Sequence, residues 1–298
     1  MISVTGVMDE RQVGGFDLAI FQRQYMPKVY ETAQRIKTKN RPGKARTKLV
    51  YEIDDDLFSI PDWNPAKKEL GNPQVQDYVK RFCNLVDAVF VTTEDLAEVY
   101  RQYNDNVFVL PNSVPFELFT PKPDNSVKPV VLWQGSHTHK KDLALIEPAM
   151  QQLKKDGDCF PKVFYAPMKG IYQVPPVEFK GFHVVLSQTD ATVGLAPLVP
   201  CKFNLSKSNL KFLEYTAQGI VTIASDFGPY QQTITHGVDG YLAKQRKDWY
   251  ELVRYVLNNE QERKEVLKNA TKLVEEKYDL NKNYALWQKA IDTVLEEK

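Results

Sequence analysis

The chain has 298 residues, with 39 Lys and Arg side chains against 38 Asp and Glu, so its formal net charge is +1. This balance argues against a globally basic nucleic-acid-binding protein. Apolar residues make up 43% and charged residues 26% of the chain, which is ordinary for a globular protein and excludes the disordered and fibrous classes.

No apolar run approaches the roughly 18 to 20 residues of a membrane helix, and the N-terminus meets acid at Asp9 and Glu10. We therefore expect a cytoplasmic protein without a membrane span. Cys83, Cys159 and Cys201 are far apart and form no CxxC pair, which predicts buried, reduced thiols rather than disulfides or a zinc site.

The first half alternates short β-rich runs with helical stretches, as a parallel α/β domain does. It starts with FDLAIFQRQY and PKVYETAQRIK, continues with KLVYEIDDDLF, and ends with VQDYVKRFCNLVDAVFVTTEDLAEVYRQY and VFVLPNSV. Only three or four of these runs are convincing strands, which predicts a reduced first domain over residues 1–119.

The segment TPKPDNSVKP, residues 120–129, carries three prolines that neither a helix nor an inner strand accepts. We place an interdomain linker there. The pattern then restarts like a Rossmann unit with the strand PVVLWQGS and the helix KKDLALIEPAMQQLKK. KVFYA, FHVVLS, ATVGLAP and IVTIAS follow as predicted strands, and the later 3.6-residue periodicity predicts helices up to the C-terminus.

A basic stretch in the first half has no acidic residue among its members, which are Arg35, Lys37, Lys39, Arg41, Lys44, Arg46 and Lys48. Such a stretch forms either a solvated loop or a contact for a phosphate-bearing, polyanionic acceptor.

The most informative segment begins at Phe203 and runs into the strand IVTIAS. Ser206 or Ser208 is suited to cap a helix, whose N-terminus carries partial positive charge that favours a diphosphate. Lys207 and Glu214, two turns apart, are then predicted on one helical face, with a cation for phosphates and a carboxylate for ribose hydroxyls.

The run KSNLKFLEYTAQGIVTIASDFGPYQQTITHGVDGYL resembles the nucleotide-binding core of GT-B glycosyltransferases of the family 4 type. That family has two glutamates separated by seven residues, then A-x-G-x-P-V-x-x-S and H-G-x-x-G-x-L. Glu214 matches the second glutamate, which holds the donor ribose in the family. Ser206 stands in place of the first glutamate, and Val221 in place of the proline.

The resemblance implies two Rossmann-like domains facing across a cleft, the second spanning 130–280. The last helix, 281–298, would cross back to the first domain with Trp287 as its anchor. It also implies a retaining, metal-independent transfer from a nucleotide-diphosphate sugar, most often a UDP- or GDP-sugar, with no other cofactor. Lys207, Lys140 and Lys141 are the predicted catalytic cations, and the predicted donor-binding residues are Gly135, Ser136, His137, Ser206, Ser208, Lys211 and Glu214.

Asp54, Asp55 and Asp56 follow a predicted strand and admit three interpretations. They cap a turn, contact the acceptor, or hold manganese as an Asp-x-Asp motif does in a GT-A-like transferase. His137 and His139 form a lone HxH pair without an identifiable third ligand, so we predict no metal site.

The sequence leaves the acceptor open among a glycan, a lipid-linked sugar, a protein and a hydroxylated DNA base. Because Ser206 replaces a glutamate, a non-catalytic module that binds a sugar nucleotide or a glycan is the second hypothesis.

Overall fold

The computed structural model describes residues 15–39, 46–121, 128–175 and 181–296. The chain forms two compact units. The first comprises Met1–Pro111, Ser206–Ser208 and Tyr284–Lys298, and the second comprises Asn112–Leu205 and Asn209–Asn283. The second unit thus begins at Asn112, whereas the predicted first domain runs to 119. Residues 122–127 of the predicted linker lie outside the described residues.

The first unit contains a parallel sheet of four strands in the order β1-β2-β3-β4. These are β1 (Leu18–Gln22), β2 (Lys48–Glu52), β3 (Ala88–Val91) and β4 (Val107–Val109). All four residues of β3 are buried, as expected for an inner parallel strand. The helices are α1 (Pro27–Thr38), α2 (Lys67–Leu70), α3 (Pro73–Leu85) and α4 (Glu94–Tyr100).

The last helix, α12 (Leu280–Glu296), supplies one side of the first unit's core. Its Ala290 and Val294 are buried, and the Trp287 ring meets the Phe90 ring edge to face with centroids 5.6 Å apart. These positions recur at the spacing of one helical face. The first unit is therefore completed by residues from the far end of the chain.

The second unit contains a parallel six-stranded sheet in the order β10-β9-β8-β5-β6-β7. Its strands are β5 (Val130–Gly135), β6 (Phe160–Tyr165), β7 (Tyr172–Val174), β8 (Ala191–Ala196), β9 (Val221–Ser225) and β10 (Tyr241–Ala243). Its helices are α5 (Lys140–Asp156), α6 (Phe182–Gln188), α7 (Lys202–Leu205), α8 (Leu210–Ala217), α9 (Gly228–Thr233), α10 (Asp248–Asn258) and α11 (Glu260–Lys277).

Alternate residues of β5 enter the cores on the two faces of this sheet. Trp133 packs into the cluster that contains Leu143 of α5 and Val253 of α10, while Leu132 packs into the cluster with Phe212 of α8 and Val274 of α11. Both faces of the sheet are thus covered by helices, which is the layered arrangement of an α/β fold.

The expected α/β fold class is confirmed, including a first unit with a smaller sheet than the second. One predicted strand is wrong, because FHVVLS forms the helix α6. Only Leu186 of that run is buried, and a short apolar run has no periodicity that distinguishes a strand from a helix. The short strands β7 and β10 were not predicted.

Candidate functional site

The strand order of the second unit creates a place for a ligand. From β5 the chain proceeds to β6 and β7 on one side and then returns to β8, β9 and β10 on the other. The crevice outside the carboxyl ends of the strands at such a reversal is where open α/β sheets bind ligands. Here it lies beyond the ends of β5 and β8, at Gly135 and Ala196.

Gly135 is the last residue of β5, and its backbone has no room for a side chain. A Cβ atom there would lie 2.6 Å from Cζ2 of Trp133, whose ring is fully buried. The prediction that bulk at Gly135 is resisted therefore has a steric cause in the structure, the indole ring two residues earlier in the same strand.

A short 3-10 turn, His137–His139, joins β5 to the N-terminus of α5. Ser136, His137, Lys140 and Lys141 are all exposed there, and the Ser136 and Thr138 hydroxyl oxygens lie 2.6 Å apart. The helix is 17 residues long, and the unpaired amides of its first turn carry partial positive charge beside the two lysines. The structure thus brings four of the predicted donor-side residues together at the switch point, namely Ser136, His137, Lys140 and Lys141.

A buried acid that the sequence analysis missed, Asp142, lies in the first turn of the same helix. Asp142 is 1% exposed; its Oδ1 accepts hydrogen bonds from the Val199 amide at 2.8 Å and from Asn204 Nδ2 at 3.0 Å. Its Oδ2 lies 2.9 Å from Nδ1 of His139. Asp142 therefore ties the start of α5 to the segment after β8. An acid in the first turn of a helix is common, so its sequence gave no distinguishing signal.

Glu214 lies on α8 and is hydrogen-bonded to a neutral partner rather than to a cation. Gln134 Nε2, on β5, donates to Glu214 Oε2 at 2.7 Å. Burial raises the pKa of Glu214 to about 7, although the nearby charge of Lys211 and the hydrogen bond from Gln134 act in the opposite direction. A carboxylate of this kind suits the hydroxyl groups of a ligand. The sequence analysis did not predict a role for Gln134, which lies directly before the glycine of WQGS.

The prediction that Ser206 or Ser208 caps this helix is wrong. The helix begins at Leu210 with Asn209 as its N-cap residue, and residues 207–209 are not helical. Lys207 is therefore not on a helical face with Glu214. Ser206–Ser208 belong to the first unit, where Thr93 Oγ1 donates to the Ser206 carbonyl at 3.0 Å. The hydrogen bond from Thr93 thus ties the Ser206 backbone to the first unit.

Lys207 pairs with an acid within the first unit. Its Nζ atom lies 2.9 Å from Oδ1 of Asp55. Lys211, in the first turn of α8, is half-buried and is the cation whose charge acts on Glu214. Among the predicted donor-side residues, Ser206, Lys207 and Ser208 are thus grouped with the first unit, and the others with the second.

The predicted acceptor-side carboxylates lie after β2 and are already engaged. Arg23 bonds to both Asp54 and Asp55, with 3.0 Å from its Nε to Asp54 Oδ1 and 2.9 Å from its Nη2 to Asp55 Oδ2. Asp56 is fully buried and its Oδ1 accepts the Phe58 and Ser59 amides at 2.9 and 3.2 Å. Of the three interpretations given for Asp54 to Asp56, Asp56 therefore fits the first, in which it caps a turn.

Arg23 was not predicted. It follows β1 with a φ of 44°, a conformation uncommon outside glycine, and its amide donates to the Glu52 carbonyl at 2.8 Å. Its pKa is raised, because the attraction of Asp54 and Asp55 outweighs the opposing effect of burial. A lone arginine after a strand has no sequence signature that points to such a pair.

Members of the basic stretch are bonded within the first unit, among them Arg35, whose Nη2 donates to Thr32 Oγ1 at 3.1 Å. Lys37 Nζ donates to the Leu85 carbonyl, and Arg46 forms a two-point ion pair with Asp87. Burial raises the pKa of Asp87, but hydrogen bonds from Arg46 and from the Leu49 amide outweigh it and leave the pKa lowered. Arg41 and Lys44 lie outside the described residues.

Within the described ranges, no group of three His, Cys, Asp or Glu side chains is arranged to hold a metal ion. Cys83 and Cys159 are buried, Cys201 is half-buried, and all three are free thiols. None of the helices in the described part of the chain is long and apolar enough to cross a bilayer.

A family model described as "Glycosyl transferases group 1" matches residues 210–273, which contain α8, β9 and the HGVDGYL turn. The match includes Glu214 and Lys211. The resemblance to glycosyltransferases seen in the sequence is thus confirmed for residues 210–273, whereas no curated protein sequence matches the chain.

Solved structures extend the likeness to nearly the whole chain. TarM of S. aureus has a TM-score of 0.66 at 15% identity; the alignment covers 94% of this chain and 55% of TarM. HepE of Anabaena, in complex with UDP and glucose, has a TM-score of 0.71 at 13% identity over 96% of this chain and 79% of HepE. Sucrose-phosphate synthase of Thermosynechococcus elongatus has a TM-score of 0.65 at 14% identity, covering 94% and 74% of the two chains.

These neighbours are GT-B glycosyltransferases, and at such identities the likeness shows the fold. The chain spans about half the length of TarM. The predicted GT-B fold is therefore confirmed, and both the matched segment and the fold are those of glycosyltransferases.

Proposed function

We propose that this protein transfers a sugar from a nucleotide-diphosphate donor to a hydroxyl acceptor, as a retaining, metal-independent enzyme of the family 4 type. The observation that carries the proposal is the Glu214 carboxylate, held by Gln134 inside the segment that matches the glycosyltransferase family. It lies on the helix beside the β5 switch point, where an α/β sheet binds nucleotides.

The donor diphosphate is proposed to bind at the start of α5. Lys140 and Lys141 are exposed at the positive end of that helix, and Gly135 lets a phosphate approach the backbone. A UDP-sugar is the first candidate, since HepE has been solved with UDP-glucose, and a GDP-sugar is the alternative. Ribose hydroxyls would then donate to Glu214.

Sugar transfer of this kind requires stabilisation of the nucleotide diphosphate as it leaves. As the bond from the sugar to the diphosphate breaks, negative charge grows on the phosphate oxygens, and fixed cations and helix amides lower the energy of that state. Lys140 and Lys141, the first two residues of α5, are the cations that we propose for this role. Lys207, whose amine is paired with Asp55, is no longer among the proposed catalytic cations.

The acceptor hydroxyl is proposed to belong to a glycan, a lipid-linked sugar, a protein or a hydroxylated DNA base. A polyanionic acceptor has reduced support, because Lys37 and Arg46 of the basic stretch are bonded internally. Binding of such an acceptor would weaken strongly between low and physiological salt. Acceptor affinity that does not change with salt would exclude the polyanion.

The second candidate is a module that binds a sugar nucleotide or glycan without turnover. It is motivated by Ser206, which stands in place of a family glutamate and is buried in the first unit rather than placed on α8. Both candidates require the Glu214 site, so only turnover separates them.

The test is a screen of UDP-, GDP-, ADP- and TDP-sugars by thermal shift and donor hydrolysis, with and without magnesium or manganese. Wild type is compared with Glu214→Gln, and Glu276→Gln serves as the control because Glu276 is 58% exposed on α11. We expect stabilisation and slow, metal-independent hydrolysis, both weakened in Glu214→Gln alone.

Stabilisation without hydrolysis in the presence of candidate acceptors would favour the binding module. Strict manganese dependence would contradict the metal-independent mechanism and favour the GT-A-like alternative at Asp54 to Asp56. If no nucleotide sugar stabilises the wild type, the donor site is wrongly assigned.

A further inference from the structure

Gln134 stands between the buried end of β5 and the glycine turn, and the transfer chemistry gives it no direct role. We infer that Gln134 is a positioning residue for Glu214, holding its carboxylate in place and favouring its ionised form. The inference rests on the proposed function, since that function gives Glu214 its hydroxyl ligand.

The geometry fixes the Gln134 side chain against Glu214. Gln134 is 3% exposed, and its Nε2 lies 2.7 Å from Glu214 Oε2, at the short end of the range for a charge-assisted hydrogen bond. Its own amide donates to the Tyr215 hydroxyl at 3.1 Å, and that hydroxyl lies 3.3 Å from the Leu195 carbonyl on β8. Strand and helix are thus joined at the residue next to Glu214.

The environment of the oxygen atom of the Gln134 amide indicates why the amide has this orientation. Gln134 Oε1 is buried without a hydrogen-bond partner. Turning the amide over would place Oε1 against the carboxyl group, which suits only its protonated form, because an ionised carboxylate accepts hydrogen bonds and does not donate them. The amide therefore leaves one of its own atoms unsatisfied while Nε2 serves Glu214.

Few groups near Glu214 set its charge. Lys211, one turn earlier on α8, favours the ionised form, as Gln134 does. Tyr215 on α8 and Tyr230 on α9 also face this region, but burial raises the pKa of each well above neutrality, so both hydroxyls stay uncharged. Burial opposes ionisation and brings the pKa of Glu214 to about 7. Loss of Gln134 would raise this pKa further.

The test is Gln134→Met, which keeps a long unbranched side chain and removes the donor. Gln218→Met is the matched control: Gln218 is also buried in the second unit, donates from Nε2 to the Thr120 carbonyl at 2.7 Å, and leaves its Oε1 unpartnered. The pKa of Glu214 is measured without ligand by NMR of carboxyl-labelled glutamate, with Glu214→Gln assigning the signal. UDP-glucose affinity is measured at pH 7 and 8.5.

We expect Gln134→Met to raise the pKa of Glu214 by about one pH unit, and Gln218→Met to leave it unchanged. The ionised fraction at pH 7 then falls from about one half to one tenth, so UDP-glucose affinity should fall about fivefold and return to within about twofold of wild type at pH 8.5.

An unchanged pKa in Gln134→Met, or an equal rise in Gln218→Met, would overturn the inference. So would an affinity loss of the same size at both pH values, since that reflects packing rather than ionisation. If wild type binds no UDP-glucose at either pH, the UDP donor of the proposed function fails, while the ligand-free titration still decides the role of Gln134.

Discussion

The carboxylates of the two units lie near the ends of parallel strands but have opposite surroundings. In the first unit, Asp54 and Asp55 share the Arg23 guanidinium, and Asp55 also meets Lys207. In the second unit, Glu214 has a neutral amide as its hydrogen-bond partner, and burial raises its pKa to about 7. A carboxylate bonded to cations is already satisfied, whereas one bonded to a single amide keeps capacity for a ligand.

The sheets of the two units also differ in their strand order. All crossovers of the four-stranded sheet move in one direction, from β1 to β4, so its described strands contain no reversal. The six-stranded sheet reverses at β5, which opens a crevice between the loops after β5 and β8. The comparison indicates that the proposed ligand site of the second unit depends on its topology as well as on its residues.

The prediction with the largest expected effect concerns the contribution of the N-terminus of α5 to catalysis. Replacing Lys140 and Lys141 together with Ala should lower the rate of transfer about 100- to 1,000-fold, because the proposed mechanism puts both cations where the leaving diphosphate gains charge. Single-turnover kinetics measure it. Lys154 and Lys155, in the last turn of the same helix, replaced together with Ala provide the control. Equal rates in the two double variants would remove the lysines from the mechanism.

A second prediction concerns the pH dependence of stability. The folded state raises the pKa of Glu214 from 4.5 to about 7, so its ionisation destabilises the fold as pH rises through that interval. Glu214→Gln should therefore be more stable than wild type at pH 8 by about 2 kcal/mol, after a discount for partial exposure, and equally stable at pH 4.5.

Urea unfolding at the two pH values measures this difference, with Glu276→Gln as the exposed control. A gain in stability that is the same at both pH values would show that burial of the ionised Glu214 carboxylate is not its cause.

A third prediction tests the close approach at the end of β5. Gly135→Ala should destabilise the second unit by about 1 to 3 kcal/mol, because the new Cβ meets the buried Trp133 ring. Gly181→Ala should have little effect, since among the described residues other than its chain neighbours no atom lies within 4 Å of a Cβ built there. Thermal unfolding of the two variants measures the difference. Equal melting temperatures would mean that the indole ring moves aside at little cost.

The smallest effect concerns the first unit. Asp54 is 52% exposed, so Asp54→Asn should cost less than about 1 kcal/mol, and salt should reduce that cost further. Asp87→Asn should cost more, because Asp87 is 8% exposed and accepts from both Arg46 and the Leu49 amide. Urea unfolding at low and high salt distinguishes the two. A large, salt-independent loss of unfolding free energy in Asp54→Asn would contradict the description of Asp54 as an exposed, weakly stabilising partner of Arg23.

Much of the fold could be predicted from local sequence. The apolar runs of β5, β8 and β9 and the periodicity of α10 to α12 are strong, and the glycosyltransferase resemblance lies in one contiguous segment. The run FHVVLS failed because its three consecutive apolar residues suit either a strand or a helix. The helix cap at Ser206 failed because that segment is held by the first unit.

The sequence by itself determined the alternation of strands and helices, the family segment around Glu214, and the tight turn at Gly135, since each depends on residues close together in the chain. Only the tertiary structure decided which groups act together. Gln134 reaches Glu214 across 80 residues, Arg23 reaches Asp54 across 31, and Lys207 reaches Asp55 across 152. Such contacts depend on strand order and packing, which local propensity and spacing do not specify.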